Sequence, residues 1–245
     1  MAEKGSYDEF AAYYDVYWAA GYLRDFEGGL EETILPLVPP GARVLDLCCG
    51  TGRLAAWLSQ RGFEVAGLDA SEQMLAVARV NAPDAAFVKA DARSFTLQKP
   101  VGLALSTFDS INHFASLDDL EAVFGCVRRA LSDDGLFCFD FNTEEGFEYA
   151  GDETYAAVGE DHVCVSRSAW DSEAGEGVSR LTVFERDGDL WCRTDAEVRE
   201  YYYEQRDIEE RLERAGFAPP RVLDAADDFA MPHGDGRLFL LTRPR

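Results

Sequence analysis

The sequence predicts an α/β protein: a three-layer sandwich around a seven-stranded, mostly parallel sheet, with an inserted antiparallel β-sheet subdomain. Three observations point there. From residue 43 to 142, short apolar runs alternate with segments of helical apolar spacing, the pattern of parallel strands joined by crossover helices. Residues 161–203 read differently, as three strands joined by Gly-rich hairpin turns. The α/β alternation then resumes from residue 204 to the end.

The elements follow in order. Residues 6–26 place Tyr7, Phe10, Ala11, Tyr14, Tyr17 and Trp18 on one helical face. Such a face packs on the body of the protein or closes over a ligand as a lid. Tyr14 is the leading residue for the second role. Leu30 to Val38 continues as a helix, ended by Pro39-Pro40-Gly41. Arg43 to Leu47 is the first strand. The turn Cys48-Cys49-Gly50-Thr51-Gly52 then leads into a helix carrying Leu54, Trp57 and Leu58, stopped by Gly62. Its glycines let backbone approach a ligand with no Cβ in the way, and the helix start leaves free N–H groups.

Phe63 to Asp69 is the second strand. Ser71 caps the next helix, which carries Met74, Leu75 and Ala78. Ala85 to Lys89 and Val101 to Thr107 are the third and fourth strands. Ser116 and Asp119 form a capping box ahead of the face Leu120, Val123, Phe124 and Val127. Ser132-Asp133-Asp134-Gly135 turns the chain into a fifth strand, Leu136 to Phe141. In the insertion the strands are His162 to Trp170, Val178 to Arg186 and Leu190 to Tyr203. A helix over Asp207 to Ala215 precedes a closing hairpin, Arg221 to Ala225 and Leu238 to Thr242.

Three acids, Asp46, Asp69 and Asp91, each mark the end of a strand, a repetition more specific than any one of them. Asp46 decides the ligand's charge. A carboxylate beside the turn repels a pyrophosphate and suits a cation, an ammonium or sulfonium. Asp69 follows the Gly turn at about the spacing at which an acid grips a ribose diol. Ligands in open α/β sheets sit beyond the carboxyl ends of strands, so Thr107 to His113 should line the site.

Composition narrows the partners. The 245 residues carry a formal charge of −23, which argues against nucleic acid as a partner. No apolar run is long enough for a membrane span, and the charged N-terminus does not read as a signal peptide. The six Cys form no C-x-x-C pair and read as reduced residues of a cytoplasmic protein. His113, His162 and His233 lie far apart, so no metal is expected.

Val44 to Gly52 resembles the first motif, V-L-D-x-G-x-G-x-G, of the class I S-adenosylmethionine-dependent methyltransferases, which are Rossmann-like. Cys48 stands where that motif has its first Gly, and needs a φ that a non-Gly residue can still reach. The resemblance covers about residues 40–142 and 205–242. It implies S-adenosyl-L-methionine as cofactor and S-adenosyl-L-homocysteine as product. It assigns Asp46, Cys48 and Gly50 to the methionine end, Asp69 with Ala70 to the ribose, and Asp91 to the adenine amino group. The Ala92 N–H goes to a ring nitrogen, Met74 to the adenine or ribose face, and Thr107 to the cofactor side of the fourth strand. Tyr14 and Tyr22 come from the aromatic helix, and Arg24 would pair with the cofactor carboxylate.

For the chemistry, His113 is the leading base and Tyr14 the second catalytic candidate, as a hydrogen-bond partner of the acceptor. Phe108, Asp109, Asn112, Tyr201 and Tyr203 are the substrate candidates. The Phe108-Asp109-Ser110 segment, the aromatic helix, the insertion and Gly236-Arg237-Leu238-Phe239 are similar to the small-molecule methyltransferases that methylate amino groups of deoxyaminosugars. The implied division is a helical lid over 1–38 and a cofactor domain over 39–142 and 204–245. The insertion, 143–203, is then a substrate-side cap or a dimer contact. The implied reaction carries methyl to nitrogen, ahead of oxygen, of a small-molecule acceptor. Two other readings stay open: a non-catalytic S-adenosylmethionine-binding module, and a nicotinamide-dependent oxidoreductase, which shares Asp69 but lacks Asp46's reason.

Overall fold

The computed structural model describes residues 10–232 and 234–245. Tyr7 and His233 lie outside the described residues. The chain enters through α1 (Ala11–Tyr14), a π-helical turn (Asp15–Ala19) and α2 (Ala20–Gly29). A second π-helical turn (Leu30–Ile34) and a 3-10 turn (Leu35–Leu37) follow. This differs from one straight amphipathic face. A π turn holds an extra residue, so every later position is rotated relative to an ideal helix. Phe10 and the partly buried Tyr13, Tyr14, Tyr17 and Trp18 pack on the second sheet, against Leu181, Val183 and Val198. Phe26, Leu30 and Ile34 face the main sheet and are fully buried.

The main sheet contains β1 (Arg43–Leu47), β2 (Glu64–Asp69), β3 (Ala86–Lys89), β4 (Val101–Ser106) and β5 (Leu131–Asn142). The second sheet contains β6 (Thr154–Val158), β7 (His162–Asp171), β8 (Glu176–Asp187) and β9 (Leu190–Tyr201). The chain then returns to the main sheet through β10 (Arg221–Asp224) and β11 (Arg237–Thr242). Main-sheet order is β10-β11-β5-β4-β1-β2-β3. All pairs are parallel except those made by β11, the second arm of the closing hairpin. The strand order reverses at β1, which pairs with β2 on one side and β4 on the other. This is the switch point beyond which such sheets hold ligands.

Alternate side chains of β1 feed two cores, as the period of a strand requires. Leu45 and Leu47 join Phe124 of α5 (Leu117–Ala130), Phe137, Phe139, and Ile208 and Leu212 of α7 (Gln205–Arg214). Val44 joins Leu58 of α3 (Arg53–Gln60), Leu105, Phe26 and Phe239. Each fully buried side chain of this kind contributes about 1.5–3 kcal/mol of transfer free energy. Helices thus cover both faces, and the three-layer α/β class read from the sequence is the one observed. Among the described residues no helix is long and apolar enough to cross a membrane.

Three local features depart from the sequence reading. The expected turn at 132–135 forms inside a strand. Pairing jumps from Val101↔Leu131 to Leu103↔Leu136, so these residues bulge out of β5 without ending it. A short helix, α6 (Glu144–Ala150), and the edge strand β6 were not legible. In β6 only Ala157 is buried, so no alternation marks it.

Candidate active site

The first turn is built around left-handed backbone. Cys48, Gly50 and Gly52 have φ of 57°, 51° and 73°. At Gly52 a Cβ would stand 2.8 Å from the Ala78 Cβ of α4 (Glu72–Asn81), so glycine alone lets α3 and α4 approach this closely. Cys48 holds the same conformation without that freedom, a strain of the kind that collects at functional sites. The turn is tied to the end of β2. Cys49 N–H donates to Leu68 O at 3.0 Å. Gly50 N–H donates to Asp69 Oδ2 and Ser71 N–H to Asp69 Oδ1, each at 2.9 Å. The aromatic helix is tied to the same place. Asp15 accepts from both Nε (2.8 Å) and Nη2 of Arg53, and from Asn81 Nδ2 at 2.9 Å. Burial opposes the Asp15 charge, but these donors hold its carboxyl below the usual range. Asp15 escaped the sequence reading, although an acid amid an aromatic face was its one signal.

Above the turn lies a cavity of about 530 Å³. Tyr14, Cys48, Gly50, Asp69, Ala70 and Met74 line one part of it. Asp91, Ala92, Phe108, His113 and Tyr201 line another. A small recess of about 50 Å³, also bounded by Tyr14 and Phe108, reaches Asp46, Tyr22 and Thr107. Asp46 is 2% exposed. Its carboxylate accepts from Ala55 N–H in the first turn of α3, while Oδ2 has no partner among the described residues. Burial, helped by the charge of Asp69, pushes its pKa up to about 8. Asp91 is held by its neighbour Arg93, whose Nε and Nη2 reach it at 3.0 and 2.7 Å. A carboxylate has about four acceptor sites, so further bonds remain open to it.

Not every expected residue comes to the cavity. The Arg24 side chain is 77% exposed and faces Asp25 at 3.9 Å. The π turn upstream has rotated it outward. Tyr203 turns away and donates to Phe114 O at 2.5 Å. Asn112 is fully buried and clamps two strands. It donates to Tyr201 O at 3.0 Å and accepts from Asn142 N–H at 2.8 Å.

The loop after β4 rests on a buried network that sequence reasoning missed. Phe108 and Asp109 have φ of 62° and 48°. Asp140, fully buried, accepts at Oδ2 from Tyr22 O–H and from Asp109 N–H, each at 3.1 Å, and from Arg237 Nη1. Arg237 Nη2 donates to Asp109 Oδ1 at 2.6 Å, and Phe108 N–H donates to Tyr22 O–H at 3.2 Å. Burial raises Asp140. It also works against Asp109, yet the Arg237 guanidinium holds Asp109 below the usual range. The Tyr22 ring stacks on Phe108 at 4.2 Å between centroids. His113 Nδ1 lies 3.0 Å from Arg199 O. A carbonyl only accepts, so Nδ1 bears a hydrogen, and Nε2 lies 3.8 Å from Glu200 Oε1. Burial first, and then the surrounding carboxylates, raise Tyr14 well above 10, so it stays a phenol and a donor.

A family model described as a methyltransferase domain matches residues 44–135, from β1 into β5. The match begins on the strand that leads into the turn bounding the cavity. The chain is an S-adenosylmethionine-dependent methyltransferase. It is 27% identical over 238 residues to "Putative methyltransferase YqeM" of Bacillus subtilis, covering 95% of each chain. It is 33% identical over 141 residues to a dTDP-3-amino-3,6-dideoxy-alpha-D-glucopyranose N,N-dimethyltransferase of Streptomyces fradiae, covering 56% of this chain and 54% of that one. In fold it is similar to an S-adenosylmethionine-dependent methyltransferase from Clostridium acetobutylicum, with a TM-score of 0.79 at 22% identity over 98% of this chain and 99% of that one.

The residues of this methyltransferase fit its cofactor. The orphaned, buried Asp46 oxygen calls for a cation or an N–H donor. The side-chain-free Gly50 leaves backbone open beside Tyr14, to which a Cβ would come within 3.5 Å. Asp69 and Asp91 stand along the same cavity.

Proposed function

We propose that this methyltransferase acts on the nitrogen of a small-molecule amine, with oxygen acceptors second. The supporting observation is a third space of about 150 Å³ that shares Tyr14 and Phe108 with the cofactor cavity. Its other walls include Trp18 and the carboxyl groups of Asp109 and Glu200. An acidic, aromatic chamber beside a methyl donor suits an amine better than a neutral hydroxyl or an anion. The kinship with an aminosugar N,N-dimethyltransferase supports the same reading.

In this proposal Asp46, Cys48 and Gly50 hold the methionine end of the cofactor, with Tyr22 and Thr107 lining that recess. Asp69 and Ala70 hold the ribose, Met74 packs on the nucleoside, and Asp91 with the Ala92 N–H reads the adenine. Arg24 and Tyr203 drop out of the ligand set, and Asn112 acts by positioning. The cofactor, when bound, supplies an electrophilic methyl carbon. The chain's part is to align the acceptor nitrogen with it, which is worth several kcal/mol. Tyr14, kept protonated, donates a hydrogen bond at the meeting of the three spaces. The insertion serves as the acceptor-side cap, since β8 and β9 bring Ser179, Val198 and Glu200 to the chamber.

His113 Nε2 is placed to take the proton that the acceptor nitrogen loses. His113→Ala is expected to lower kcat by about 10²-fold or more while leaving S-adenosylhomocysteine affinity within about twofold. S-adenosylhomocysteine formation over a panel of amines and matched alcohols measures both the variant and the acceptor class. Unchanged turnover removes His113 from the proton path, and methylation of alcohols alone overturns the nitrogen assignment.

A further inference from the structure

We propose that Asp109 and Glu200 together form the acceptor-selecting site, and that it takes an alkylammonium group. The chamber then admits a hydroxylated aliphatic amine in its charged form and discriminates against the isosteric alcohol. This rests on the nitrogen-acceptor reading above and assigns the residues that enforce it.

The argument begins with charge. The groups facing this corner come from six elements: Tyr14 from α1, Tyr22 from α2, Asp109 and His113 from the segment after β4, Asp140 from β5, Glu200 from β9 and Arg237 from β11. Three of these are carboxyl groups and one is a fixed cation. The guanidinium is already committed, to Asp109 Oδ1 at 2.6 Å and to Asp140. Among the described residues no lysine or arginine is ion-paired with Glu200, and the guanidinium field reaches it only past Asp109. Its side chain is 24% exposed, on the wall of the chamber. Burial and the Asp109 charge hold it well above the ordinary glutamic acid range, and it is hydrogen-bonded to Asp109. A proton therefore occupies the place that a cation would fill.

The chamber supplies the rest of an ammonium site. Phe10, Tyr14, Trp18 and Phe108 bound it, and ring faces attract a cation stripped of water. Ser166 and Ser179, from β7 and β8, offer hydroxyls for a polar body. His113 Nε2, at 3.8 Å from Glu200 Oε1, stands between this corner and the cofactor cavity. An entering ammonium displaces the Glu200 proton and leaves a charge-assisted contact. A hydroxyl has no charge with which to do so.

The test uses the full chain saturated with S-adenosylhomocysteine, and two probes, trans-2-aminocyclohexanol and trans-1,2-cyclohexanediol. Affinities come from calorimetry at pH 7.5 in two buffers of different ionisation enthalpy. The amine is expected to bind about tenfold or more tightly than the diol, with net proton release. In Glu200→Gln the preference should fall to within about twofold and the proton release should vanish, with S-adenosylhomocysteine affinity within about twofold of wild type. Retained cofactor-product affinity shows that the variant is folded. Equal affinity for the two probes, failure of the amine to bind, or a preference that survives in Glu200→Gln overturns the assignment. The two readings separate when S-adenosylmethionine is supplied. Methylation of the amine without Glu200-dependent preference overturns this site and keeps the nitrogen reading. A Glu200-dependent preference with methylation only at the probe's hydroxyl does the reverse.

Discussion

Replacing Asp46 by Asn is expected to weaken S-adenosylmethionine binding by about 10- to 100-fold, the worth of one charged hydrogen bond, while making the free protein more stable in mild alkali. Both effects have one cause. The Asp46 carboxyl is buried at 2% exposure with one oxygen orphaned, so its pKa stands at about 8 rather than near 4. Between those values the folded protein holds a proton that the unfolded chain has released. The stability that this proton brings is complete below pH 4 and is lost as pH rises toward 8, at up to about 1.4 kcal/mol per pH unit. Asn has nothing to ionise, so the slope should flatten in thermal melts of Asp46→Asn. A cationic ligand prefers the ionised carboxylate, so wild-type affinity should rise with pH up to about 8, and the variant should lose that rise. Equal affinity of both proteins across pH 6–9 would remove Asp46 from the cofactor site.

Arg237→Met is expected to destabilise the fold by about 3–5 kcal/mol, the usual result of removing one partner from a buried ion group. At this chain length that is roughly a 10 °C fall in Tm. Arg237 joins Asp109 to Asp140, and Asp140 in turn receives Tyr22 O–H and Asp109 N–H. Without the guanidinium, two buried carboxyls face each other, and the left-handed Phe108–Asp109 backbone loses its anchor. Methyl transfer should fall with it, because Phe108 borders all three spaces of the site. Adding Asp140→Asn removes one stranded charge and keeps an oxygen acceptor, so the double variant should recover part of the loss. Strictly additive losses in that double-mutant cycle would contradict the network.

The legible part of this molecule was the part written in local pattern. The strand–turn–helix at residues 43–60 declared itself through apolar period and paired glycines. The strand-end acids Asp46, Asp69 and Asp91 stood out because the same gap repeats. The closing hairpin followed from its two apolar runs. What stayed hidden depends on register and long-range pairing. Asp140 and Arg237 lie 97 residues apart and meet only because β11 pairs antiparallel with β5. Glu200 was passed over for Tyr201 and Tyr203. On a strand of period two, the phase that points Glu200 at Asp109 is fixed only by pairing with β8. Arg24 faces solvent instead of the cavity, and the π turn at Asp15–Ala19 shifts the phase of everything after it.

The most direct measurement is a calorimetric titration of the full chain with S-adenosylhomocysteine and, separately, with NADH, near pH 8. A carboxylate-lined switch point built for a sulfur-cationic nucleoside predicts a Kd for S-adenosylhomocysteine of about micromolar, near −8 kcal/mol, and no heat from NADH. NADH binding with no response to S-adenosylhomocysteine would contradict it.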